Sequence, residues 1–261
     1  MKKSEIEAIP IVLPESIDRL CRGARVYDSS CSQGARVYFI DRDGGYYLKT
    51  APSGVLRREA MMTDYFHGKG LGAEVIEYTA ADRDLLLTRA IAGEDCTHRG
   101  YLDDPRRLCD LLAERLRALH ELDCSDCPIQ DKMKEYIHTA EKNYLSGSYD
   151  SSHFPDSFGY RSAEEAYSVL NDGKRLLKND ALLHGDYCLP NVMLDGWRFA
   201  GFIDLDQAGV GDRHIDLFWG RWSLGFNLKT DLYGERFLDA YGRDKVDEDR
   251  LRVVAAAEVF G

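Results

Sequence analysis

Short β-branched and aromatic runs, broken by Gly, Asp and Ser, fill the first ninety positions of the chain. Residues 24–27 and 35–40 predict strands. The pentapeptide Gly-Ala-Arg-Val-Tyr occurs twice, at 23–27 and 34–38, and frames the polar loop Asp28-Ser29-Ser30-Cys31-Ser32-Gln33. Such a loop can fold over an anion through backbone N–H groups and hydroxyls. Asp43-Gly44-Gly45 supplies the positive-φ positions of a tight hairpin and returns the chain as a strand over 46–49. A helix is predicted over 55–66, carrying Glu59, and strands over 74–78 and 85–89 are joined by the polar turn Ala81-Asp82-Arg83.

After Ala90 the pattern changes. Gly93, Glu94, Asp95 and Gly100 mark a connector, and a long helix starts near Asp104-Pro105. Leu108, Leu111, Leu112, Leu116 and Leu119 recur at spacings of three and four, which turns one face inward. A second helix is predicted over 132–145, and a third opens at Ser162-x-x-Glu165, a pair able to satisfy each other's backbone donors. Asp195-Gly196 predicts a hairpin between strands at 192–194 and 197–203, and from 215 to the end the pattern is helical. The expectation is an α+β chain with a small antiparallel sheet in residues 1–90 and a larger, mainly helical part in 91–261.

The chain has 261 residues, 44% of them hydrophobic, enough to bury a sizeable core. No apolar run approaches a membrane span, and the start lacks the basic-then-apolar order of a signal peptide, so a cytoplasmic location with no membrane partner is expected. Seven cysteines are scattered, and Cys124-x-x-Cys127 lacks a second pair, so reduced thiols and a plain loop are expected there. The net charge is −11, which argues against nucleic acid as the main partner. Residues 1–90 hold 13 basic and 13 acidic side chains, while residues 91–261 hold 21 and 32, so the acidic excess belongs to the second part. It suits solubility or the attraction of a cationic ligand.

The segment Leu183-His184-Gly185-Asp186-Tyr187-Cys188-Leu189-Pro190-Asn191, followed across the hairpin by Phe202-Ile203-Asp204, reads H-x-D-x4-N and then D. Phosphoryl transfer needs a carboxylate to orient an attacking hydroxyl, the part suited to Asp186, and oxygen ligands for Mg²⁺ on the nucleotide phosphates, suited to Asn191 and Asp204. Singly, each is an ordinary loop residue. The joint spacing across a predicted hairpin points to the chemistry. Trp197, Trp219 and Trp222 are expected to serve packing.

These motifs, with Gly211-Asp212-Arg213-His214-Ile215-Asp216-Leu217 downstream, resemble the aminoglycoside phosphotransferase family, relatives of the protein kinases. Tyr47-Leu48-Lys49 is similar to the family's lysine strand, Arg58-Glu59 to its partner helix, and Leu116-x-x-Leu119-His120 to its long helix. Cys127-Pro128, the segment up to His153-Phe154 and the ending Glu258-Val259-Phe260 resemble the 3′-phosphotransferases in particular. The resemblance implies a two-lobed, protein-kinase-like fold that transfers phosphate from ATP, or GTP, with Mg²⁺ to the 3′-hydroxyl of a cationic aminoglycoside, as a monomer or weak dimer. It implies that Lys49, paired with Glu59, binds phosphates under a loop of Ser32, Gln33 and Gly34, and that Arg89, Ala90 and Ile91 form the hinge at the adenine. His184 would orient the catalytic loop with Asp216 as its partner, and Glu258, Phe260 and Asp206 would meet the acceptor.

The chain departs from the family's pattern at several positions. Ala257 stands where a terminal carboxylate is usual, Gly261 extends past Phe260, Asp206-Gln207 replaces a common Gly-Arg, and Gln33 replaces a phosphate-loop Ser. The alternatives are a kinase of another amine-bearing or sugar metabolite, of choline, homoserine or fructosamine type, and a non-catalytic nucleotide-binding protein on the same fold.

Overall fold

A computed structural model describes residues 3–31, 34–150 and 158–261. The expected Ser32 and Gln33, and His153-Phe154, lie outside the described residues. The chain divides into two compact units, Met1–Asp95 with Val192–Asp206, and Cys96–Asn191 with Gln207–Gly261.

Up to Asp95 the elements are β1 (Ser4–Ile6), α1 (Glu15–Cys21), β2 (Arg25–Asp28), β3 (Arg36–Asp41), β4 (Tyr46–Pro52), α2 (Arg57–Gly68), β5 (Val75–Ala80), β6 (Arg83–Arg89) and β7 (Glu94–Asp95). From there follow α3 (Arg99–Leu102), α4 (Pro105–His120), α5 (Lys132–Ser146), α6 (Ala163–Gly173), β8 (Ala181–Leu183), β9 (Val192–Asp195) and β10 (Arg198–Phe202). β11 (Gly209–Gly211), α7 (His214–Leu228), α8 (Gly234–Gly242) and α9 (Glu248–Glu258) complete the chain. Among the described residues no helix is long and apolar enough to cross a membrane.

In the first unit, six antiparallel strands run in the order β1-β2-β3-β4-β6-β5. Alternation sorts their side chains. Leu48, Leu85 and Leu87 join Ile17, Val26 and Ile40 in one core, while Leu86 packs with Ala51 and with Leu56 and Ala60 of the α2 region on the opposite face. Lys49 lies opposite Leu86 in the β4–β6 ladder, so it shares the face that α2 covers. β1 and α1 go beyond the five strands and one helix read from the sequence. They are three and seven residues long, and α1 has a single buried residue, Ile17, so neither carries a periodic signal of its own.

The expected division after Ala90 differs from the observed units for a topological reason. β7 pairs with β9, Glu94 opposite Leu194 and Asp95 opposite Met193, and the Phe202 N–H donates to Leu71 O at 2.7 Å. These bonds place the β9–β10 hairpin in the first unit, although nearly a hundred residues intervene. At Gly93 (φ +97°) a Cβ would collide with Leu194 O, so the strand pairing requires glycine there.

In the second unit the leucine stripe of α4 is buried as its spacing implies, Leu111 being only partly covered. Asp104 caps α4 and Ser162 caps α6, whereas Glu165 accepts from the Arg161 N–H, one residue before the expected Ser162. β8 and β11 form a two-stranded ribbon, Leu183 opposite Gly209, which the sequence did not reveal. It delivers His184 and the N-terminus of α7 to the same place.

Asp84, fully buried on β6, accepts from Gly54 N at 2.9 Å and Leu56 N at 2.7 Å. It thereby anchors the start of α2, which has no side-chain cap of its own. Asp84→Ala should lower the unfolding free energy by about 2 to 4 kcal/mol in urea titration, because two donors lose their acceptor.

Candidate functional site

Lys49 on β4 and Glu59 in the first turn of α2 meet because they share a face: Nζ lies 2.8 Å from Glu59 Oε2 and 3.0 Å from Asp204 Oδ1. Burial works against the ammonium, but Asp204 and Glu59 outweigh it and hold Lys49 charged, above the usual lysine range. Burial pushes the Glu59 carboxyl up to about 7, against the pull of Lys49. Asp204 follows β10 with φ +57°, a left-handed conformation that a non-glycine residue adopts at some cost. The three line a cavity of about 220 Å³ whose apolar wall includes Val37, Tyr47, Leu86 and Phe202.

Of the expected hinge, Arg89 and Ile91 line this cavity. Ala90 does not, and its N–H donates to Gly45 O at 3.0 Å. Ser29, Cys31, Thr63 and Thr88 line the cavity too. The loop leaving β2 is held locally. Asp28 Oδ1 accepts from Ser30 N at 2.9 Å and Ser30 Oγ accepts from Val37 N at 3.0 Å, leaving Gly34 exposed at the far end.

The second unit holds the H-x-D-x4-N segment. Asp216, fully buried in the first turn of α7, accepts from His184 N through Oδ2 and from Gly185 N through Oδ1, both at 2.8 Å. The expected His184–Asp216 partnership is thus made through backbone, and the imidazole that Asp216 meets is His120, Nε2 to Oδ2 at 3.1 Å. His120 in turn meets Tyr241 Oη at 2.8 Å. His184 Nδ1 accepts from Asp186 N at 3.3 Å. Gly185 (φ +85°) passes so close to Gln207 O that a Cβ would collide with it. Asn191 Nδ2 donates to Asp186 O at 3.0 Å and to Asp186 Oδ2 at 2.8 Å. The amide nitrogen is thereby committed to the loop, and its carbonyl oxygen remains the atom with metal-ligand chemistry.

Asp186 lines a cavity of about 410 Å³ in this unit, with Lys132, Tyr136, Gln207, Trp219 and Glu258. Tyr136 Oη donates to Glu258 Oε1 at 2.7 Å. Burial pushes the Glu258 carboxyl up to about 7, hydrogen bonds from Tyr136 and Trp219 oppose the rise, and the charge of Asp186 adds to it. Burial and the Asp186 carboxylate together hold the Cys188 thiol well above the usual thiol range, which keeps it protonated.

Phe260 is fully buried with its ring edge against Tyr144 at 5.4 Å, so it anchors the chain end while Gly261 lines the cavity. Asp206 closes the first unit, and Gln207, the next residue, lines the cavity. Trp219 lines this cavity rather than only filling core. Lys132 and Tyr136 escaped sequence reading, and Trp219 read as packing, because each sits on a helix whose periodicity reports packing alone.

A sequence model of the phosphotransferase enzyme family matches residues 31–254, and the chain belongs to that family. It is 53% identical over 249 residues to a probable aminoglycoside 3′-phosphotransferase of Lactococcus lactis subsp. lactis, covering 95% of both chains. It is 33% identical over 234 residues to an aminoglycoside 3′-phosphotransferase of Niallia circulans, covering 87% of this chain and 88% of the relative. The crystal structure of an aminoglycoside-3′-phosphotransferase of type VIII superposes with a TM-score of 0.74 at 24% identity, over 95% of this chain and all of that one, and shares the two-lobed, kinase-like α+β fold.

Asp216→Ala leaves two buried N–H groups and the His120 ring without their acceptor. We expect a loss of about 3 to 5 kcal/mol in unfolding free energy, with amide hydrogen exchange accelerated at His184 and Gly185 before the rest of the unit.

Proposed function

We propose that the protein transfers the γ-phosphoryl group of ATP to the 3′-hydroxyl of an aminoglycoside. The observation that carries this reading is the cavity that holds Asp186 and Glu258 together among aromatic walls, suited to an alcohol on a polycationic sugar. The relatives named above support the same acceptor.

Asp186 accepts the hydrogen bond of the acceptor hydroxyl, aims its oxygen at the γ-phosphorus and takes its proton as the new P–O bond forms and the bond to the β-phosphate oxygen breaks. Asn191 fixes the Asp186 carboxylate through its amide nitrogen. Lys49, held by Glu59, binds the phosphates, and the apolar wall with Val37, Leu86 and Phe202 takes the base. The Asn191 carbonyl and the Asp204 carboxylate each have the oxygen-donor chemistry that Mg²⁺ takes. When bound, it neutralises charge on the phosphate oxygens.

A second reading, an acceptor from amine-bearing or sugar metabolism, is favoured by Ala257, which lines the acceptor cavity without a carboxylate. Purified protein given ATP or GTP, Mg²⁺ and a panel of acceptors decides between them. Turnover of kanamycin and neomycin, absent from analogues lacking the 3′-hydroxyl, supports the first; no turnover above background overturns it.

Asp186→Ala should bind ATP about as well as the parent while kcat falls by about 10² to 10⁴. The Glu258 carboxyl is neutral below about pH 7 and ionised above it, and only the ionised form attracts an ammonium. The acceptor KM should therefore fall as pH rises from 6 to 8. Glu258→Gln, compared at each pH so that titration of the acceptor's own amines cancels, should raise KM most at pH 8 and flatten the difference below 7.

A further inference from the structure

The cavity of the first unit carries a hydroxyl that the fold itself does not use. Ser29, the residue after β2, lines that cavity and is only 2% exposed, and among the described residues its Oγ has no hydrogen-bond partner. A hydroxyl kept from water without a partner lowers stability, because its lost hydration is not replaced. Its backbone is engaged: Ser29 N donates to Val37 O at 2.8 Å, and Ser29 O accepts from Cys31 Sγ at 3.5 Å. Side-chain anchoring of the loop falls instead to Asp28 and Ser30.

Register places this hydroxyl. Asp28 lies opposite Tyr38 at the end of the β2–β3 ladder, so the next pair is Ser29 with Val37, and Val37 lies opposite Lys49, itself opposite Leu86. Residues directly opposite share a face, so Ser29, Val37, Lys49 and Leu86 form one row across the cavity side of the sheet. Two strand spacings, about 10 Å, separate Ser29 from Lys49 within that row. Under the reading above, Lys49, turned toward Glu59 and Asp204, meets the phosphates, and Leu86 and Phe202 meet the base. The part of the nucleotide left for Ser29 is the sugar that joins them, whose hydroxyls donate and accept as a serine hydroxyl does.

We propose that Ser29, whose hydroxyl the protein leaves without an internal partner, hydrogen-bonds a ribose hydroxyl of ATP and so selects ribonucleotides over deoxy analogues. The inference rests on the nucleotide part of that reading and adds to it a contact specific to the sugar.

Calorimetric Kd values are measured for ATP, 2′-deoxyATP and 3′-deoxyATP, each with Mg²⁺, on the parent and on Ser29→Ala. The parent should bind ATP about three- to tenfold more tightly than at least one deoxy analogue, the worth of one hydrogen bond. Ser29→Ala should lose that preference, chiefly by weakening ATP to the level of the analogue. Its melting temperature without nucleotide should equal or exceed the parent's, because an unsatisfied hydroxyl has been removed, and the rise on adding Mg-ATP should shrink. Thr50→Val is the control. It removes another buried hydroxyl without a partner, on the face of β4 opposite Lys49 and outside the cavity lining, and should leave all three Kd values unchanged.

A lower melting temperature with all three nucleotides weakened alike marks a structural serine and overturns the proposal. Equal binding of the three nucleotides by a parent that binds ATP, or a preference untouched by Ser29→Ala, also overturns the role of Ser29 alone. The first of these outcomes needs no substitution, so it decides even where the variant fails to fold. A parent that binds no ATP overturns the nucleotide reading and this inference with it.

Discussion

The buried carboxylate of Asp216 is the constraint on which the catalytic segment depends. A carboxylate away from water must be matched by donors, and here two successive backbone N–H groups and an imidazole match it. The matching works in both directions, since the carboxylate needs those donors and the donors fix the backbone of His184 and Gly185. Asp186, the next residue, is consequently presented from a backbone with little freedom, and Asn191 closes on its side chain from the far end of the loop. The ribbon of β8 and β11 brings the two ends of this arrangement together, and the close passage of Gly185 by Gln207 leaves no room for any other residue at that step.

Charge is arranged differently in the two units. In the first, a lysine sits between two carboxylates, so a triphosphate would find a cation already ionised and oriented. In the second, carboxylates dominate the cavity and one buried lysine interrupts them. One set of groups suits an anionic ligand and the other a cationic one.

Legibility in the sequence followed the range of the interactions involved. The strand carrying Lys49, the helix carrying Glu59, the caps of α4 and α6 and the H-x-D-x4-N segment rest on contacts within a few residues or on periodic burial, and were readable. β1, α1, the β8–β11 ribbon and the Asp84 anchor are short pieces held by distant partners, and left no periodic trace. The aromatic and basic lining of the acceptor cavity was hidden for a related reason: Tyr136, Trp219 and Lys132 look like ordinary helical residues until the helices pack.

The amino-acid sequence by itself determined the chemistry available to this protein, because the carboxylates, amide and lysine of phosphoryl transfer lie at spacings that local turns and a hairpin impose. Tertiary structure alone decided which groups share a cavity. It turned Phe260 into core and Trp219 into wall, gave Asp216 the backbone of His184 to hold, and set Lys132 in one cavity with Asp186 and Glu258. Those outcomes depend on packing and on burial of charge between residues tens of positions apart, which no local pattern encodes.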